Sequence, residues 1–417
     1  KRYWTVLPAI ILLCVFMVGP ILWAFYGFMT NMSLTGATAT DTSFIGLENY
    51  QKLFTDKSFP QSVWLTVIFV LISAIIAQNF LGMAVAVLLS RANRTVGQFV
   101  SVSVISAWVL PEMVAGFACY AFFSKNGTLN QVLGLFGLGN TEWLYTFPMF
   151  AVILANIWRG TAFSMMNYQA AIGEVDRSLT EAAVVDGANA WQAFIHVTIP
   201  VIKQTIMTNL MLIMLQTMSA FTLIFVMTAG GPGDKSSTLP IFAYKAAFKF
   251  GDIGYGSAIA VVMLAIGAIF GLVYVRALKD EKGITNREAI AHPAAKTAPS
   301  SASGRKRRRL NTPTSPRHGA SAFFSYLAMA VIFVVFITPL LWLLLAAFDT
   351  KATFQTKLPS HWTLDNFSAI MTKDLTFLPL WNSLVLSLSV TVIVVVCSVL
   401  AAYPLSRYQS RFNKPFL

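Results

Sequence analysis

The sequence predicts an all-α transmembrane protein with a core of six membrane helices and two more beyond it. Composition, the length of the apolar runs and the placement of basic residues carry this reading. Of 417 residues, 56% are hydrophobic and 11% are charged, whereas a soluble domain averages about 25% charged. Apolar stretches recur at 4–28, 63–89, 99–123, 147–172, 206–227 and 255–277, and again at 323–348 and 384–403. About 20 residues suffice to cross a bilayer as helix. Hydrocarbon offers no water to backbone N–H and C=O groups, so such runs satisfy them as helices. The first run is too long and too aromatic for a cleaved signal peptide.

The net charge of +13 is topological rather than a nucleic-acid footprint. Let the N-terminus, with Lys1 and Arg2, be cytoplasmic, and let the chain alternate sides. The inner loops then hold Arg91, Arg94, Arg177, Lys203, eleven basic residues between 276 and 317, and Arg407, Arg411 and Lys414. That places twenty Lys and Arg inside and nine outside, with Arg159 inside a helix. Cytoplasmic loops carry this bias. Cys14, Cys119 and Cys397 fall within the expected helices, where a small apolar side chain packs. Their spacing makes no disulfide or metal pattern, and His196, His292, His318 and His361 are scattered. No catalytic residue, cofactor or metal is expected. Asn126-Gly127-Thr128 reads as a turn.

Three segments follow: a six-helix unit at 1–280, a basic disordered cytoplasmic linker at 281–320, and two helices at 321–417. The linker is rich in Ala, Ser, Pro, Lys and Arg, includes Arg305-Lys306-Arg307-Arg308-Arg309, and has no apolar periodicity. The two halves open alike. Each has a helix, then an outer segment with an aromatic-flanked Asn (Leu47-Glu48-Asn49-Tyr50 and Leu364-Asp365-Asn366-Phe367), then a helix ending in Ser-Arg (Ser90-Arg91 and Ser406-Arg407). Transporter folds are often built from such repeats. The last segment reads as the first two helices of a second, truncated unit, expected to pack loosely on the first.

Between the fourth and fifth helices lies Glu181-Ala182-Ala183-Val184-Val185-Asp186-Gly187-Ala188, followed by Phe194 and an Ile199-Pro200 ending. Glu-Ala-Ala favours helix, and Gly187 allows a sharp turn into a second short helix starting near Asn189. This stretch resembles the EAA loop of the permeases of ATP-binding cassette (ABC) importers. Phe44-Ile45-Gly46-Leu47-Glu48-Asn49-Tyr50, Thr228-Ala229-Gly230-Gly231-Pro232-Gly233 and Ala401-Ala402-Tyr403-Pro404-Leu405-Ser406-Arg407-Tyr408 resemble further signatures of the carbohydrate, maltose-type branch. The resemblance covers nearly everything but the linker. It implies a permease in the bacterial plasma membrane, with partners of four kinds: ABC ATPase subunits, an extracytoplasmic solute-binding protein, a second permease subunit and a sugar. Glu181, Ala182, Ala183, Asp186, Gly187, Ala188, Phe194 and Pro200 would form the surface that couples to the ATPase. The chain has no G-x-x-x-x-G-K-[ST] loop, so ATP hydrolysis would belong to a separate subunit.

Polar groups at mid-membrane depth are costly and mark functional sites by default. The third helix carries Trp108, Pro111 and Glu112, the fourth Asn156, Trp158, Arg159 and Gly160, and the fifth Gln216, Thr217 and Ser219. Maltose-type permeases hold sugar with the same three helices; the resemblance matches Trp108, Glu112, Asn156, Gly160 and Thr217 to those places, and Arg159, Gln216 and Ser219 join them as substrate-binding candidates by polarity and position. An aromatic face with carboxylate and amide groups suits sugar hydroxyls. The structural alternative pairs Glu112 with Arg159 and has the rest bridge helices. Glycerol phosphate or another polyol remains open as substrate. The rival class, an ion-coupled secondary transporter of small polar solutes, explains the helices and intramembrane charges but gives no account of the EAA loop.

Overall fold

Among the described residues helices make up most of each apolar run, and β structure is confined to three isolated bridges. The computed structural model describes residues 11, 14–291 and 319–407. Lys1, Arg2, His292, His318, the basic tract at 305–309, Arg411 and Lys414 lie outside the described residues, as does the start of the first run.

The first run ends in a π turn, Cys14–Val18, and α1 (Gly19–Phe28). After α2 (Glu48–Thr55) comes one continuous helix, α3 (Ser58–Arg91), wound as a π-helix over Val70–Gln78. The third run is broken: α4 (Arg94–Val109) meets α5 (Glu112–Phe123) at a bend of 109°. Pro111 causes the break, because its ring disfavours helical backbone at Leu110 and it has no N–H to donate. α6 (Pro148–Glu174) opens on a proline, whose missing N–H is unneeded there. Two short helices follow, α7 (Arg177–Val185) and α8 (Ala190–Ala193). Next come α9 (Lys203–Met218), α10 (Thr222–Thr228), α11 (Leu239–Tyr244) and α12 (Ile253–Ala291). The last three are α13 (Gly319–Ala347), α14 (Asp365–Ile370) and α15 (Leu378–Arg407).

Among the described residues five helices are long and apolar enough to cross a membrane, and up to seven if each of two bent pairs is one span. The sequence expectation of eight unbroken runs is modified at the third, which bends, and at the fifth, whose helix stops at Met218 and restarts at Thr222. α12 also continues to Ala291, into the stretch expected from 281 to lack regular structure. Good helix formers such as Ala277, Leu278, Lys279 and Glu281 favour this extension.

With the 175–202 loop taken as the lower end, α3 and α6 form the central pair. Gly82 on α3 sits against Ser164 and Met165 of α6, where any Cβ would collide; small residues let membrane helices approach backbone to backbone. Around them Phe69, Val85, Val104, Ala115, Ala155, Trp158 and Met165 are buried in one core. At the upper end α1 seats on α12, with Gly27 against Ser257 and Gly254 against the Thr30 carbonyl.

The tail divides. α13 packs into the core, burying Met329 and Phe336 against α4, α5 and α6, and the Trp158 indole N–H donates to Phe336 O at 3.2 Å. Its outer loop is tied as well: Thr356 N–H donates to Thr128 Oγ1 at 2.9 Å, and Phe354 meets Tyr120 edge-on. The expected loose packing is therefore wrong for this helix, because α6 offers an unused indole donor and α4–α5 an apolar face. α15 buries none of its apolar window. Two outer loops share one hydrogen-bond pattern. Asn49 Nδ2 donates to Phe28 O and Thr30 O at 2.7 and 2.9 Å, and Asn366 Nδ2 donates to Ala347 O and Asp349 O at 3.1 Å each. Bridges join Thr30 to Phe44 and Asp349 to Trp362 in the same places.

Candidate functional site

Glu112 opens α5 immediately after the break at Pro111, and Trp108 lies one turn before it on α4. Asn156, Arg159 and Gly160 occupy one face of α6, being three and four residues apart. Gln216 and Thr217 end α9, and Ser219 and Ala220 begin the turn into α10. These three helix segments enclose a cavity of about 470 Å³, which all eight residues anticipated as substrate-binding line together with Gln78 and Ala220.

The polar groups of the wall hold one another. Arg159 Nη1 lies 3.1 Å from Glu112 Oε1, and Arg159 Nε is buried without a partner among the described residues. Asn156 Nδ2 donates to Ser73 Oγ at 2.8 Å and to Thr217 Oγ1 at 3.4 Å. Gln78 Nε2 donates to the Asn156 carbonyl at 2.9 Å. The charges pair, as the structural alternative expects, and the pair faces a cavity. Gln78 was not anticipated, since it sits inside an apolar run.

Below the cavity lies a second polar layer that sequence reasoning missed. Tyr168 OH donates to Asn79 Oδ1, Asn209 Nδ2 donates to Ser164 Oγ at 3.0 Å and to Tyr168 OH at 3.1 Å, and Asn167 Nδ2 donates to Asn209 Oδ1 at 2.9 Å. It ties α3, α6 and α9 together between cavity and loop. Each residue is a lone polar group in an apolar helix, visible in the sequence only as a break in hydropathy.

The loop is built by its caps. Asp176 Oδ1 accepts from Ser178 N–H at 3.0 Å at the start of α7. The Ser178 backbone N–H, then its side chain, hold this carboxyl below the usual aspartate range. At the far end Ala188 N–H donates to Ala183 O at 2.9 Å and Gly187 N–H to Val184 O at 3.1 Å, with Gly187 at φ 89°. This is the left-handed C-terminal turn that glycine favours. Asn189 then caps α8 reciprocally with Gln192. The sequence anticipated both the turn at Gly187 and a helix starting near Asn189.

Glu181 and Phe194 line a groove of about 540 Å³ between the loop and the lower end of α3, with Ser90 and Arg91 opposite. Ala183, Asp186, Gly187 and Ala188 line a shallower one of about 340 Å³ beside His196. Ala182 lies on α7, and Pro200 sits in the single turn Ile199–Val201. Val185 and Trp191 are 86% and 70% exposed, leaving the loop an apolar surface.

A bundle of apolar helices with a polar cavity among them and a rigid, partly apolar helical loop at one end defines a multi-pass membrane transport component. Residues 78–279 match the family described as binding-protein-dependent transport system inner membrane component. The sulfoquinovosyl glycerol transport system permease protein SmoG of Agrobacterium fabrum is 33% identical over 277 residues, 66% of this chain and 89% of that protein. The trehalose/maltose transport system permease protein MalF of Thermococcus litoralis is 26% identical over 277 residues, 66% of this chain and 92% of that one. The fold is shared with a bacterial alginate ABC transporter solved in complex with an alginate-bound periplasmic protein. There the TM-score is 0.57 and identity 20%, over 65% of this chain and 91% of that chain. The chain belongs to the binding-protein-dependent transport system inner membrane component family.

Proposed function

We propose that the chain is the permease of an ATP-driven importer for a sugar or oligosaccharide. The convergence of Trp108, Glu112, Asn156, Arg159, Gly160, Gln216, Thr217 and Ser219 on one cavity carries this reading. The cavity combines an indole face with amide, hydroxyl and carboxylate groups, the chemistry that grips a polyhydroxylated ring. The names of the relatives, SmoG and MalF, support carbohydrate as cargo.

In this reading the 175–202 loop seats in a cleft of a separate ATPase subunit. Glu181 and the Asp186-Gly187 turn form the seat, and closure of the ATPase tilts α6 and α9, which the loop joins. The basic residues put the loop and the N-terminus in the cytoplasm, and the upper end meets a solute-binding protein outside. The matching Asn49 and Asn366 clamps support a second permease unit beginning after the linker, with 1–280 as the first.

Purifying the chain from its native membranes in mild detergent tests the assignment. Recovery of an ATPase subunit in stoichiometric amount is expected. Uptake that runs on an ion gradient with no ATPase present would replace this reading with that of a secondary transporter.

A further inference from the structure

Gln78 ends the π-wound stretch of α3, where the extra residue per turn rotates its side chain off the lipid-facing register and into the bundle. It is 2% exposed and borders the cavity. Its Nε2 is committed to the Asn156 carbonyl at 2.9 Å. The amide lies flat over Gly160, and a Cβ there would collide with Cδ, Nε2 and Oε1 together. Gly160 is thus the gap that admits Gln78, and Gln78 closes that part of the wall.

The donors and acceptors divide unevenly. Gln78 spends its N–H on a backbone carbonyl, and Asn156 spends its own on Ser73 Oγ and Thr217 Oγ1. Among the described residues neither Gln78 Oε1 nor Asn156 Oδ1 receives a donor. Glu112 adds a carboxylate whose charge Arg159 neutralises. Beside Gly160 the free Gln78 and Asn156 oxygens are acceptors, Arg159 Nε stands as a buried donor without a partner among the described residues, and the formal charge of Glu112 and Arg159 is balanced.

We infer that Gln78 is a specificity-determining residue of the cavity, its Oε1 accepting a hydroxyl proton from an uncharged sugar while Gly160 sets its position. This rests on reading the cavity as a sugar site. An acceptor that a ligand covers without supplying a donor is costly, so such a wall selects ligands that supply O–H at that point.

The test uses the full chain in lipid nanodiscs. The probes are maltose, trehalose and their monodeoxy-monofluoro analogues, with binding followed by saturation-transfer and ¹⁹F NMR. Fluorine keeps the size of a hydroxyl but cannot donate. Gln78→Met keeps the bulk over Gly160 and removes the acceptor, and Gly160→Ala displaces an unaltered Gln78. Both variants should weaken binding of the parent sugar about tenfold. For one analogue, fluorinated at the position facing Gln78, Gln78→Met should bind as the wild type does. Uniform weakening across all analogues, or no weakening, would overturn the role of Gln78 and leave the sugar reading intact. No binding of any probe by the wild type would remove the sugar reading and this inference with it.

Discussion

Glu112 and Arg159 face each other across the break in the third membrane run, Oε1 to Nη1 at 3.1 Å. Their side chains are 38% and 24% exposed, so solvent screens the attraction and the pair contributes about 1 kcal/mol at most. The fold does not depend on it, whereas a ligand in the cavity meets both groups. Glu112→Gln should therefore reach the membrane at normal abundance with its melting temperature little changed. Uptake should fall about tenfold or more, the scale of a lost hydrogen bond to a charged group. Loss of the folded protein would instead make the pair structural.

Trp158 links α6 to α13 through its indole N–H on Phe336 O. Trp158→Phe keeps the ring and removes the donor, which should weaken the docking by about 1 kcal/mol. The sequence at 305–309 offers trypsin a run of basic sites. After cleavage there, the fragment containing α13 should co-elute with the fragment containing α6 in mild detergent, and less of it should do so in the variant. Separation of the wild-type fragments would contradict the packing described.

Asp56 sits at the upper end, accepting from Ser58 N–H and from Tyr255 OH, both at 2.8 Å. Burial acts to raise its pKa, but the hydrogen bonds from Ser58 and Tyr255 and the charge of Lys52 outweigh it, and the net shift is downward from 3.8. The carboxylate therefore stabilises the folded state fully above that value, and its contribution disappears as pH falls through the lower folded pKa. Protection from hydrogen exchange at 50–58, taken relative to the intrinsic rate at each pH, should fall on going from pH 5 to about pH 3 and should already be lower at pH 5 in Asp56→Asn. Equal protection in both proteins at pH 5 would show that the carboxylate holds nothing there.

The sequence revealed these features unevenly, for physical reasons. The 175–202 loop was legible because its chemistry is local: Gly187 meets a positive φ, and Asn189 and Gln192 cap a helix three residues apart. The cavity was legible because Trp108, Glu112, Asn156, Arg159 and Thr217 interrupt apolar helices. Gln78 interrupts one too, but which face it takes depends on the π-wound turns before it, and hydropathy does not encode that winding. The docking of α13 was hidden because the sequence marks Trp158 as a polar group at mid-membrane depth without giving its partner, and only the fold brings it to a main-chain carbonyl far along the chain. The kink in the third run was foreseeable from Pro111, yet the apolar run passes through it unbroken.

The capped turn at Gly187 is where the central claim is most exposed. Gly187→Val puts a β-branched residue at φ 89°, at a cost on the order of 1–2 kcal/mol, while a Cβ there would meet no neighbouring atom. The helices and the cavity are left untouched, and only the seat offered to the ATPase is deformed. The decisive measurement is sugar-stimulated ATP hydrolysis by the complete transporter carrying this variant, with membrane abundance checked in parallel. The account predicts normal insertion and hydrolysis reduced to the unstimulated level. Full stimulation in the variant would contradict the assignment of this loop as the coupling element.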